Sequence, residues 1–324
     1  MNNKPSANVI EYKNGKQVAK PTSLEFLPLA VVDLRDFLAM DIPPRLMLID
    51  PWLPTQGLAM GYGWRGTGKT WFALSVAYTV ASGGSFLGWN VPQASKVLYV
   101  DGEMAGADLQ SRLSLIAAGC EWEPGPGMLN LCTPDLQARG MPDLATVGGL
   151  AALQEAMPED TKLIIIDSIS SLVRGEGNEN DAESWLSVAE WAIAQKVLGR
   201  SILFMHHSGK SGAQRGTSKR EDLLDSVLAF RPIPDHRPNE GAKFQILIDK
   251  ARGRYPSFRP IEAELTSGKN GGVCWTYRTI EESLSEKILE LADEGSKQAD
   301  IAKDLGCARS TVMRTLRRRK DVAG

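Results

Sequence analysis

Six short apolar runs punctuate the chain: GLAMGY at 57–62, KVLYVD at 96–101, LIIID at 163–167, SILFMHH at 201–207, SVLAF at 226–230 and FQILID at 244–249. Several are unbroken rather than alternating, as strands buried on both faces are. Between them lie longer stretches with apolar residues at helical spacing, at 70–82, 106–118 and 181–197. Strand and helix in alternation predict an α/β fold with a mainly parallel sheet flanked by helices. From about residue 283 the texture changes to short helices, few strand formers and a basic end. Three segments are therefore expected: a loose polar tail at 1–23, an α/β core at 24–280 and a small all-α domain at 281–324.

Composition changes this picture little. The 324 residues are 43% hydrophobic and 23% charged, enough apolar material for a sizeable core. The net charge of −2 means that any nucleic-acid contact must come from local basic patches. The four cysteines are scattered without metal-ligand or paired spacing, which fits reduced thiols in a cytosolic protein. No apolar run approaches the ~20 residues of a membrane span. The polar N-terminal stretch lacks the apolar block of a secretory signal, so a cytoplasmic location is expected.

The chemistry begins at GYGWRGTGKT, residues 61–70, between an apolar strand and a helical run. Gly63, Gly68, Lys69 and Thr70 match G-x-x-x-x-G-K-[ST] in full. A loop that curls its N–H groups around phosphate oxygens must keep side chains out of the way, and Gly63, Gly66 and Gly68 do so. With Trp64, Arg65 and Thr67 they form the expected binding loop for a nucleoside triphosphate. Lys69 is expected on the β- and γ-phosphates and the Thr70 hydroxyl on Mg²⁺. The following helix turns its positive end toward the anion.

Other strand ends supply the remaining groups. LIIID delivers Asp167 to the Mg²⁺ shell. VLYVDGEM offers Asp101 and Glu103; Glu103, just beyond the strand, is the better candidate to orient an attacking water, whereas Asp101 suits a structural hydrogen bond. SILFMHH ends in His206 and His207, one of which faces the γ-phosphate while its neighbour points away. The reading narrowly favours His206. A catalytic triad has no support, since no nucleophile-elbow pattern accompanies the pair.

These motifs in this order resemble RecA-like ATPases of the DnaB branch, and within it the plasmid RepA-type hexameric helicases. VLYVDGEM is similar to the strand whose glutamate is the catalytic base there, and LIIIDS to their Walker B strand. FMHHSGKSGAQRGTSKREDLLDSVLAF resembles the RepA-type histidine pair with its mobile loop, and IDKARGRYP the late strand that projects a Lys-x-Arg pair toward a neighbouring subunit. The resemblance covers about 50–260. It implies an ATP- and Mg²⁺-dependent homo-oligomeric ring, a hexamer, with ATP at subunit interfaces. Arg215, or Arg252 with Lys250, would complete the next subunit's site. No primase-recruiting N-terminal domain is recognisable, and the C-terminal extension is foreign to the small RepA-type helicases.

In such rings the loops after the Walker B and histidine strands line a central channel and grip single-stranded DNA. Here the second loop carries Lys210, Arg215, Lys219 and Arg220 among glycines and serines, suited to backbone phosphates. The first, RGEGNENDAES, is acidic and a poor grip. The tail resembles a helix-turn-helix with apolar positions Ile288, Leu291, Ile301, Leu305, Val312 and Leu316, a cap at Ser296 and a turn at Gly306. Residues 309–319 form the expected recognition helix on duplex DNA, with Arg309, Ser310 and Arg314 at bases or phosphates and Arg317, Arg318, Arg319 and Lys320 at phosphates. The expected function is a DNA motor, a replicative helicase or helicase-like replication protein of a plasmid, phage or integrated element. The alternatives are an ATP-switched DNA-binding regulator and a filament-forming recombinase-like ATPase. The absence of L-S-G-G-Q disfavours transporter ATPases, and that of N-K-x-D disfavours GTPases.

Overall fold

The computed structural model describes residues 30–175, 182–209, 221–233, 236, 241–253, 258–268 and 270–323. The chain divides into two units, Met1–Pro44 and Arg45–Gly324. In the first, helix α1 (Leu34–Ala39) starts at Asp33, whose carboxylate accepts from the Arg35 N–H, and it buries no residue. The expected tail at 1–23 lies outside the described residues.

The second unit is built on strands β1 (Met47–Ile49), β2 (Leu53–Pro54), β3 (Leu58–Gly63), β4 (Gly84–Phe86), β5 (Trp89–Val91), β6 (Val97–Asp101), β7 (Leu129–Cys132), β8 (Leu163–Asp167), β9 (Ser201–His207), β10 (Ser226–Pro232), β11 (Lys243–Ala251), β12 (Ile261–Ser267) and β13 (Val273–Thr279). Its helices are α2 (Lys69–Ser82), α3 (Gly106–Gly119), α4 (Val147–Ala156), α5 (Ile169–Leu172), α6 (Ala182–Val197), α7 (Ile280–Asp293), α8 (Gln298–Asp304) and α9 (Arg309–Ala323). Nine strands form one sheet in the order β13-β12-β11-β10-β3-β9-β8-β6-β7. From β10 through β7 all pairs are parallel, while β11, β12 and β13 continue it antiparallel.

The unbroken apolar runs are explained by helices on both faces. On β9, Leu203 and Met205 join the core under α2 and α3, whereas Ile202 and Phe204 join the core under α4, α5 and α6. This is the two-residue period of a strand expressed as two cores. Helix α2 is itself buried almost all round, with Phe72, Ala73, Leu74 and Val80 inaccessible. The FQILID run, expected within the α/β alternation, is β11, the first antiparallel strand; β12 and β13 were not foreseen.

The chain passes from β13 into α7 without a linker. Arg278 ties this junction by pairing with Glu262 on β12 and Glu286 on α7. Trp275 Nε1 donates to Ser75 Oγ on α2 at 2.9 Å. Helices α7, α8 and α9 then close on Ile288, Ile301 and Val312, all fully buried. Gly306 turns at φ 60°, as expected for the turn before the third helix. The expected cap is displaced by one residue: α8 is capped at Lys297, with no side-chain bond. Ser296 belongs to the end of α7, its N–H donating to the Leu291 carbonyl after the left-handed Gly295.

Candidate active site

Where the parallel strands end, their loops converge on a cleft of about 790 Å³. Its walls come from the 63–70 loop, α3, the ends of β6, β8 and β9, and Gly241–Ala242 before β11. A crevice beyond the carboxyl ends of parallel strands is where this architecture binds ligands.

The loop is shaped by backbone geometry. Gly68 caps α2 at φ 94°, a conformation side chains resist, and a Cβ there would lie 2.3 Å from that of Ala242. Lys69 opens α2 and is 5% exposed; its ammonium donates to the carbonyls of Gly63 at 3.0 Å and Trp64 at 2.7 Å. Burial lowers its pKa to about 8, against the opposing pull of Asp167 and Glu103. Thr70 is half-buried in the first turn, within hydrogen-bonding reach of Asp167. Trp64, Arg65 and Gly66 are exposed, and Thr67 ties back to the Trp64 carbonyl.

At the end of β8, Asp167 is 5% exposed and accepts the Tyr99 hydroxyl at 2.7 Å. Burial pushes its pKa up, although Tyr99, Thr70 and Lys69 all favour the carboxylate. Asp101 takes the structural role that its position allowed: its carboxylate accepts the N–H groups of Glu103 and Met104 and shapes the turn. Burial raises it to about 6. Glu103 projects from this turn, accepts the Ser168 hydroxyl at 2.7 Å and lies 3.6 Å from His207 Nε2. His207 and Ser168 hold its pKa at about 2.

The histidines divide opposite to the sequence expectation. His207 lines the cleft beside Glu103, whereas His206 is 2% exposed and lies off the cleft. The strand period decides this, because His207 shares the face of Leu203 and Met205 that packs toward α2.

Lys250 and Arg252 lie away from this cleft. Lys250 donates to the Glu221 carbonyl, and Arg252 is exposed just past β11. Lys210, Arg215, Lys219, Arg220 and the acidic stretch 176–181 lie outside the described residues. On α9, Arg309, Ser310, Arg314, Arg317 and Arg318 are all exposed. Arg319 instead bridges to Asp293 on α7 at 2.6 Å. Tyr99, Ser168 and Arg112, which the sequence did not single out, complete the neighbourhood. Arg112 reaches in from α3 and lies over the Trp71 ring, 5.0 Å from its centroid.

The donor set fits Mg²⁺ and a triphosphate. Ser170 Oγ and His207 Nδ1 are buried without a partner among the described residues, and both residues line the cleft. Thr70 and Asp167 would be the hard oxygen donors to such a metal, whose charge would offset that of the phosphates. Among the described residues no helix is long and apolar enough to cross a membrane.

Residues 20–213 match the family described as an AAA domain, and residues 286–324 match a homeodomain-like domain. A KaiC-like protein from the hyperthermophilic archaeon Pyrococcus horikoshii has a similar solved structure, with 18% identity and a TM-score of 0.49. The match covers 72% of this chain and 99% of that one. No curated protein matches the chain in sequence. The chain belongs to the AAA-domain family of RecA-like P-loop ATPases and carries a homeodomain-like helix-turn-helix in its last segment.

Proposed function

We propose that this chain is a ring-forming, Mg²⁺-dependent ATP-driven motor on DNA, a helicase or helicase-like replication protein of a plasmid, phage or integrated element. In this reading Lys69 and the 63–70 loop hold the phosphates, Thr70 and Asp167 hold the metal, and Glu103 orients the attacking water. At a pKa of about 2, Glu103 stays ionised but accepts a proton weakly, so it acts first by aligning the water. His207, the last residue of β9, joins Glu103 to that strand and so can pass the state of the cleft along it.

The observation that carries the oligomeric part is the position of Lys250 and Arg252. Lys250 pairs with Val227, which pairs with Met60, three residues before Gly63; Arg252 lies two residues further toward the far end. At ~3.3 Å per residue Arg252 is roughly 15 Å from its own loop along the strands, farther than its side chain reaches. A cation so placed serves a neighbour's triphosphate or none.

The rival reading, an ATP-switched DNA-binding regulator, draws on the linkerless β13–α7 junction, through which the helix-turn-helix is held to the core. A strand-displacement assay on a forked duplex separates the two. ATP-dependent unwinding is the expected result; site-specific duplex binding without unwinding would favour the regulator.

Lys69 also predicts a pH dependence. Only its ammonium form attracts phosphate, and in the free protein that form is lost as pH rises through about 8. ATP affinity should be flat between about pH 6.5 and 7.5, then weaken by roughly tenfold per unit above pH 8, until the pKa of the bound form is reached. Calorimetry in buffers of different ionisation enthalpy should record proton uptake on binding near pH 8.

A further inference from the structure

The two helices that leave the cleft both end their reach on one strand, β13. Helix α2 begins with Lys69 and Thr70. Helix α3 begins three residues after Glu103, beyond the turn that Asp101 holds through the Glu103 and Met104 N–H groups. From the second turn of α2, Ser75 Oγ accepts from Trp275 Nε1 on β13 at 2.9 Å. At the far end of α3, Gly119 meets the start of the same strand. A Cβ on Gly119 would lie 1.9 Å from the Val273 carbonyl oxygen, and one on Gly272 would lie 2.3 Å from the Gly119 nitrogen. The two backbones touch directly, with no side chain between them to give way, so a shift of one must move the other.

Strand β13 also carries the helix-turn-helix. It stands at the margin of the sheet and pairs with β12 along one edge, so its contacts with α2 and α3 help to set where it lies. Its last residue, Thr279, is followed directly by Ile280 of α7, whose N–H donates to the Pro260 carbonyl at 3.0 Å. Arg278 clamps this joint through the buried Glu262 on β12 and through Glu286 on α7. Helix α7 shares its core with α8 and α9. A flexible linker would let the two parts move independently, and none lies here. The 14 residues of α3 span roughly 20 Å at 1.5 Å per residue, a rod from the cleft to the joint strand.

We infer that β13 is a relay: nucleotide in the cleft shifts α2 and α3, they displace β13, and the strand re-aims the helix-turn-helix and changes its grip on duplex DNA. This rests on the proposed nucleotide role of the cleft and holds for a motor and a regulator alike. The coupling is reciprocal, so duplex DNA on α9 changes nucleotide affinity by the same factor, within the ordinary range of about 5- to 150-fold. In a motor, the relay lets the chain hold and release a duplex segment once in each ATP cycle.

Fluorescence anisotropy of a labelled mixed-sequence duplex with the full chain reads the relay, using the non-hydrolysable triphosphate analogue AMP-PNP with Mg²⁺. Duplex affinity should change by about fivefold or more between the free and AMP-PNP-bound chain, and AMP-PNP affinity should change by the same factor when duplex is added. Inserting Gly-Ser-Gly between Thr279 and Ile280 leaves the cleft and α9 untouched. It should cut the effect below about twofold, with AMP-PNP affinity and nucleotide-free duplex affinity each within about twofold of the parent. Glu286→Ala removes the exposed partner of Arg278 and should lower the effect partway, which covers the case of a poorly folded insertion. An unchanged duplex affinity although AMP-PNP binds would overturn the relay. So would a full effect in both variants, which would assign it to assembly gathering several α9 helices on one duplex. If AMP-PNP fails to bind the parent chain, the nucleotide reading of the cleft falls first and the relay with it.

Discussion

Glu103→Gln is expected to lower ATP turnover by about 10²- to 10⁴-fold, the range for loss of a positioned general base, while ATP binding stays within a few-fold of the parent. The substitution keeps the shape of the side chain and an oxygen that can accept from Ser168. It removes the negative charge that aligns water and that His207 faces at 3.6 Å. No phosphate-binding group is touched, since Lys69 is held by the Gly63 and Trp64 carbonyls. Steady-state hydrolysis and fluorescent-nucleotide binding on the same preparation check both halves. Wild-type turnover in this variant would remove Glu103 from the role.

Mixing experiments should show the second large effect. An arginine acting across an interface contributes about 10³- to 10⁵-fold to phosphoryl transfer in related chemistry, so loss of the trans cation should nearly silence hydrolysis. Arg215→Ala and Arg252→Ala are to be made separately, because sequence left both as candidates. Whichever is the finger should be inactive alone yet retain ATP binding. Mixed with Lys69→Ala, also inactive alone, it should regain part of the activity: the lysine variant supplies the arginine and the arginine variant supplies the intact loop. If neither arginine variant loses activity, an interfacial site completed by Arg215 or Arg252 is refuted.

How much of this was legible in the sequence depended on whether the information was local. The loop and the start of α2 are contiguous, so Gly63 to Thr70 announced themselves, and the helix expected at 70–82 lies at Lys69–Ser82. The six apolar runs all became strands of the large sheet: five are buried on both faces, which leaves an unbroken signature, whereas FQILID buries alternate residues on β11. The strands β12 and β13 carry polar residues at many positions, as in IEAELTS and VCWTYRT, and near a sheet margin they gave no such run. The choice between His206 and His207 needed the facing of β9, which a two-residue period alone leaves undetermined. Arg112 belongs to no local motif. Its place in the cleft arises from how α3 packs beside α2, a tertiary fact with no spacing to betray it. The cap at Ser296 failed because the preceding glycine closed α7 first.

If the triphosphate is cleaved only between neighbouring protomers, hydrolysis must depend on assembly. The most direct measurement follows ATP turnover per protomer across a dilution series with single-stranded DNA present, with particle mass recorded in the same solutions. Specific activity should rise steeply and in step with the assembled fraction, and Lys69→Ala should poison it in mixed assemblies. A strictly monomeric chain that hydrolyses ATP at the full rate at every concentration would contradict the interfacial site outright.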